Sequence, residues 1–146
     1  MAELQVAVVV SRFNPEVTER LLAGAEEALR GVADVTVYQV AGAFDIPLVA
    51  KEAAMCGRFD AVVALGCVIR GETSHFDYVS HVASTGINRA AMESGKPVTF
   101  GVLTVDTDEQ AMARSQPGKE NFGYHAAAAA IEMVGVLKKI KVGHVH

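Results

Sequence analysis

"AVVALGCVIRGETSH", residues 61–75, decides the fold: nine residues without a charge, Ala61 to Ile69, run straight into Arg70, Gly71, Glu72, Thr73, Ser74 and His75. An apolar run with no alternation suits a strand buried on both faces, and such strands belong to parallel sheets covered by helices. Two further stretches repeat the pattern, "VAVVV" (6–10) and "PVTFGVLTV" (97–105), and a weaker one, "VTVYQVA" (35–41), makes four. Helical segments fill the gaps at 15–30, 45–57 and about 75–94, and two more follow the last strand. Strand–helix alternation of this kind predicts an α/β fold with a four-stranded parallel sheet.

The helix starts carry their own signals. Asn14 before Pro15 reads as an N-cap with proline at the first helical position, and Val17, Leu21, Leu22, Ala25 and Leu29 then form one apolar stripe. Glu16 with Arg20, and Glu26 with Arg30, have the i,i+4 spacing of solvent-side ion pairs. Thr107 with Gln110 fits a capping box, opening a short helix that carries Arg114. The last helix, 124–141, is small or apolar nearly all round until Lys138, Lys139 and Lys141, which suit a helix C-terminus. Burial on more than one side is expected of it, and in so small a fold that means a contact between subunits.

A chain of 146 residues is expected to form one domain, 1–146, burying roughly 70% of its unfolded surface, with 142–146 a disordered tail. Its 13 basic and 17 acidic residues are spread along the chain, so no nucleic acid is expected as a partner. The start MAELQ lacks a leader pattern, and no apolar run approaches the ~18 residues of a membrane span; the expectation is a cytoplasmic protein with no membrane partner. Cys56 and Cys67 form no C-x-x-C pair and read as reduced core thiols. Hydrophobic residues reach 51% with few aromatics, a surplus that other subunits would cover.

Ligands of open parallel sheets gather outside the carboxyl ends of the strands. The four loops there read "SRFN" (11–14), "AGAFD" (41–45), "RGETSH" (70–75) and "DTDEQ" (106–110), so polar, glycine-containing and aromatic residues converge on one edge. Gly71 permits a tight turn into a helix N-terminus, which attracts anions, and His75 titrates near neutrality and can move protons. A bare helix cap with a surface histidine fits the same letters. Phe13 has the setting of a stacking ring or of a staple beneath the first helix, while Phe44 and Phe100 read more readily as core. Asp45 fits a helix cap before a ligand contact; Arg114 fits a phosphate clamp or a solvated surface; Arg70 fits an interface ion pair or the site. The chain has no G-x-G-x-x-G after its first strand, no P-loop and no G-x-S-x-G. His75 and His81 lie off metal-ligand spacing and His144 and His146 fall in the tail, so no metal is expected.

Taken together, "SRFN", "GAFDIP", "ALGCVIRGETSHFDYV" and "FGVLTVDTDEQAMAR" resemble the 6,7-dimethyl-8-ribityllumazine synthase family of riboflavin biosynthesis, in order along most of the chain. The resemblance implies a flavodoxin-like three-layer sandwich, assembly into pentamers or capsids built from them, and no cofactor. It implies condensation of 5-amino-6-(ribitylamino)uracil with 3,4-dihydroxy-2-butanone 4-phosphate, a four-carbon ketose phosphate, and it adds riboflavin synthase as a partner. Position by position, it makes Phe13 the ring that stacks on the uracil and sets Ala43, Phe44 and Asp45 beside the ribityl chain. Cys67, Val68 and Ile69 would line the pyrimidine, Glu72 and Thr73 would hold phosphate through their backbone, and His75 would transfer protons. Phe100 and Arg114 would reach the site from the neighbouring subunit, as aromatic wall and phosphate clamp.

The chain departs from the family in three places. A customary "NKG" reads Asn121, Phe122, Gly123, removing a positive charge that Lys119 would have to replace. The stretch "SQPGKENFGYH" is atypical, and a short N-terminus lacks most of a segment that pairs with an adjacent subunit, which bears on capsid assembly more than on the pentamer. The rivals to a lumazine synthase are a non-catalytic flavin or lumazine binder, which Phe122 would suit, and an archaeal-type riboflavin synthase.

Overall fold

The computed structural model describes residues 4–72 and 74–143. β1 (Leu4–Ser11), α1 (Pro15–Leu29), β2 (Ala33–Val40), a 3₁₀ turn (Ala43–Asp45), α2 (Ile46–Met55) and β3 (Ala61–Ile69) form the first part of the chain. A second 3₁₀ turn (Arg70–Glu72), α3 (Phe76–Ser94), β4 (Val98–Val105), α4 (Asp108–Arg114) and α5 (Phe122–Lys141) follow. The four strands pair in parallel in the order β2-β1-β3-β4. The fold is therefore the expected flavodoxin-like three-layer α/β sandwich, and its third strand has the bounds that its apolar run predicts.

Strand alternation divides the core into two. Val6, Val8 and Val10 of β1 join Val63, Leu65 and Leu103 beneath α1 and α5, packed on Leu21, Leu29 and Ala127. Ala7 and Val9 join Val62, Ala64 and Val102 on the opposite face, against Ile46, Ala50, Ala83 and Ile87 of α2 and α3. Each fully buried leucine or isoleucine contributes about 1.5–3 kcal/mol, enough for these two seams to fix the layers. α5 lies close on α1, where a Cβ at Gly123 would sit only 2.9 Å from the Cα of Leu21 and nearer still to its carbonyl. The other side of α5 leaves Met133, Val136 and Ile140 exposed. No described helix is long and apolar enough to cross a membrane.

Several local expectations need correction. Asn14 is not a side-chain cap: its backbone is left-handed (φ 63°), and its amide turns away from α1 to donate to the Cys67 carbonyl (3.0 Å). Pro15 excludes right-handed helical geometry from the residue before it, and asparagine tolerates the alternative. Neither Glu16–Arg20 nor Glu26–Arg30 closes as an ion pair; Arg20 instead approaches Met112 Sδ at 3.7 Å. Exposed pairs gain too little to hold two long side chains in place. Cys56 is exposed at the end of α2, and only Cys67 is a core thiol. The capping box forms as predicted, with Gln110 N–H donating to Thr107 Oγ1 (3.1 Å) and Thr107 N–H to Gln110 Oε1 (3.3 Å). Val142 N–H donates to Lys138 O and Gly143 N–H to Ile140 O, closing α5; the rest of the expected tail, residues 144–146, lies outside those described.

Candidate active site

The strand order places a topological switch point between β1 and β3, where successive connections leave in opposite directions and open a crevice at the carboxyl edge. The sheet steps there. β1 pairs with β3 only as far as Val10–Leu65, whereas β3 continues beside β4 to Ile69–Val105. Cys67, Val68 and Ile69 thus form a ledge beyond the end of β1, with their side chains buried in the two cores. Any ligand lying on that ledge meets its backbone. Asn14 ties the β1 loop to the ledge through Cys67 O.

The loop after β1 then follows the end of β2, Arg12 N–H donating to Val40 O (2.8 Å) and Phe13 N–H to Ala41 O (3.1 Å). This pairing brings Phe13 beside the Ala43–Asp45 turn. Phe13 is 56% and Phe44 58% exposed, so both rings stand free of the core; for Phe44 that corrects the expectation of core packing. Ala43 is buried and anchors the turn. Asp45 precedes α2 but its side chain makes no capping bond to that helix, contrary to expectation; its carboxylate instead accepts from Gly42 N–H (3.1 Å), closing the 3₁₀ turn, and remains exposed.

On the other side of the ledge, β3 passes through the Arg70–Glu72 turn to α3. Thr73 lies outside the described residues. His75 occupies the N-cap position of α3 with its ring exposed, 6.5 Å from the Tyr78 ring centroid. Arg70 is engaged within its own chain: Nε donates to Asp106 Oδ1 (2.8 Å), Nη1 reaches Asp77 Oδ1 (3.5 Å), and the guanidinium carbon lies 4.4 Å from the Phe76 ring centroid. The hydrogen bond to Asp106, above all, raises its pKa beyond the ordinary arginine value.

Two candidates are not brought to this edge as the others are. Phe100 pairs with Ala64, three positions before Leu103, the partner of Cys67. That places it about 10 Å down the strand from the ledge. Its ring is half-buried against the α2/α3 core, so it is partly the core residue that its sequence suggests. Arg114 is exposed at the end of α4, whose Ala111 and Met112 pack on the α1/α5 face. His75 starts a helix on the opposite face, with the sheet between the two layers.

A cavity of about 380 Å³ near this edge is lined by Asn14, Pro15, Glu16, Val17, Ile69, Asp108 and Met112. Phe13, Phe44 and His75 do not line it, and all three are exposed. Asn121 was not singled out by sequence, yet it is buried and fixes Ser115, the residue after Arg114, by donating to its carbonyl (3.0 Å). The only hint was its place in the triplet 121–123. Phe122 beside it is half-buried against the α1/α5 core. Lys119 is exposed in a groove of about 330 Å³ with Tyr124, His125 and Glu132.

Polar loops outside four parallel strands, with two exposed rings, a backbone ledge and a histidine around the switch point, define an α/β protein of flavodoxin-like architecture. Residues 3–138 match the family described as 6,7-dimethyl-8-ribityllumazine synthase. A protein of Syntrophus aciditrophicus (strain SB) named 6,7-dimethyl-8-ribityllumazine synthase is 50% identical over 141 residues, which cover 94% of this chain and 92% of that protein. The chain belongs to the 6,7-dimethyl-8-ribityllumazine synthase family, transferases of riboflavin biosynthesis.

Proposed function

We propose that this protein condenses 5-amino-6-(ribitylamino)uracil with 3,4-dihydroxy-2-butanone 4-phosphate, releasing phosphate and water, in a cytoplasmic homo-oligomer, a pentamer or higher. The observation that carries the reading is the grouping of Phe13, the Ala43–Asp45 turn, the Cys67–Ile69 ledge and His75 along one carboxyl edge. In this reading the uracil stacks on Phe13 and lies along the ledge, and the ribityl chain extends past Ala43, Phe44 and Asp45. The backbone at Glu72 and Thr73 receives the phosphate ahead of α3, at the positive end of a helix.

Imine formation, phosphate loss and ring closure with loss of water each move a proton at nitrogen or oxygen. His75 gives and takes these protons. Holding two reactants in register supplies a larger share, roughly 7–11 kcal/mol when orientation is good. Phe100 and Arg114 complete the site of a neighbouring protomer. Support comes from the low register of Phe100, the placement of α4 across the sheet from α3, and the exposed Met133, Val136 and Ile140 that assembly would cover.

Mixing the protein with both substrates should produce lumazine absorbance and one phosphate per turnover, and light scattering should give at least five chains of 15.4 kDa per particle. Tight flavin binding without turnover would favour the non-catalytic reading. The feature that suited it, Phe122, packs on the core. The product is the expected substrate of a partner riboflavin synthase.

Arg114→Ala should raise KM for the phosphate substrate about 10- to 100-fold, the worth of a charged hydrogen bond, with little change in kcat. Steady-state kinetics with that substrate varied would check it; an unchanged KM would remove Arg114 from the phosphate site.

A further inference from the structure

Arg70 touches three groups on two other parts of the chain. Asp106 belongs to the turn after β4, where its N–H is itself held by Gln110 Oε1 (2.8 Å). Phe76 and Asp77 are the first two residues of α3, immediately after His75. One side chain therefore grips the start of the histidine-bearing helix and secures it to the end of the neighbouring strand.

Stability does not account for this arrangement. The side chains of Arg70, Asp106 and Asp77 are 56%, 64% and 83% exposed, and ion pairs so open to water contribute little to folding while costing side-chain entropy. Geometry does account for it. A planar guanidinium that stacks on one ring while reaching carboxylates on two elements has few orientations available, so it fixes the distance and angle between them. The ring is buried, which gives the grip a rigid side.

The geometry points to Arg70 as a positioning residue for His75: by clamping Phe76 and Asp77 to Asp106, it holds the first turn of α3 where the imidazole can reach the reacting atoms. This rests on the proposed condensation. A displacement of about 1 Å at a reacting group can cost as much as 10²-fold in rate, so losing the clamp should be visible in turnover.

The test compares Arg70→Met, Arg70→Lys and Arg89→Met in the full-length protein. Arg89 lies near the far end of α3 in another solvent-exposed ion pair, with Glu93 (2.6 Å), and serves as the control. Arg70→Met should lower kcat about tenfold with an unchanged melting temperature and KM for the uracil substrate within about twofold, because Phe13 and the ledge are untouched. Arg70→Lys should recover part of the loss, since an ammonium keeps the charge but not the planar fork. Arg89→Met should keep parental kcat. Parental kcat in Arg70→Met, an equal loss in Arg89→Met, a loss that tracks a lowered melting temperature, or no recovery with lysine would each overturn the assignment. Absence of turnover in the parent protein overturns the condensation reading and this one with it.

Discussion

His75→Ala is expected to lower kcat about 10²-fold or somewhat more and to leave the protein folded, binding both substrates and still measurably active. Its side chain makes no capping hydrogen bond at the start of α3 and is exposed. Exposed substitutions away from structural features usually change stability by less than about 0.5 kcal/mol. Orientation of the two substrates against Phe13 and the ledge survives the change, and that share of the rate should survive with it. Stopped-flow measurement of lumazine absorbance beside thermal unfolding would check both parts. A folded variant that binds both substrates and shows no turnover at all would mean that the histidine carries far more of the reaction than positioning does.

The largest loss of stability is expected at Asn121, where alanine should cost about 3–5 kcal/mol, a large fraction of the 5–15 kcal/mol typical of a native protein. Its carboxamide is saturated. Nδ2 donates to Arg20 O (3.1 Å) and Ser115 O (3.0 Å), while Oδ1 accepts from Gly123 N–H (2.8 Å) and Tyr124 N–H (3.0 Å), capping α5. Alanine would leave Ser115 O and the Gly123 and Tyr124 N–H groups without these partners in a largely buried seam, besides removing the cap; Arg20 O keeps its partner within α1. Gly24 shows how closely the seam fits, because a Cβ there would overlap the carboxamide. Urea unfolding should show the midpoint falling with little change in slope; a loss below about 1 kcal/mol would mean that water enters and replaces the bonds.

Asn121 also shows where sequence reading stops. Its bond to Arg20 spans 101 positions and that of Arg70 to Asp106 spans 36, and no local pattern encodes either. β3 was legible to the residue because burial on both faces leaves its composition no freedom. The stripe of α1 and the Thr107 capping box were legible because helix periodicity and caps are local. Asn14 departs from its local pattern for the opposite reason: the choice between capping α1 and binding Cys67 O is made by a strand 53 positions away. Convergence of four loops on one edge followed from parallel topology alone. The assignment of Phe100 and Arg114 to a neighbouring chain's site came only from family resemblance, since nothing in their spacing says that they serve a second chain.

That sharing of the site is the central claim, and complementation tests it most directly. His75→Ala and Arg114→Ala chains are each impaired when the phosphate substrate is scarce. Unfolded together and reassembled into mixed oligomers, they should regain activity, because about one site in four would draw an intact histidine from one chain and an intact arginine from its neighbour by random mixing. Mixed oligomers no more active than the average of the two separate variants would contradict a site divided between protomers.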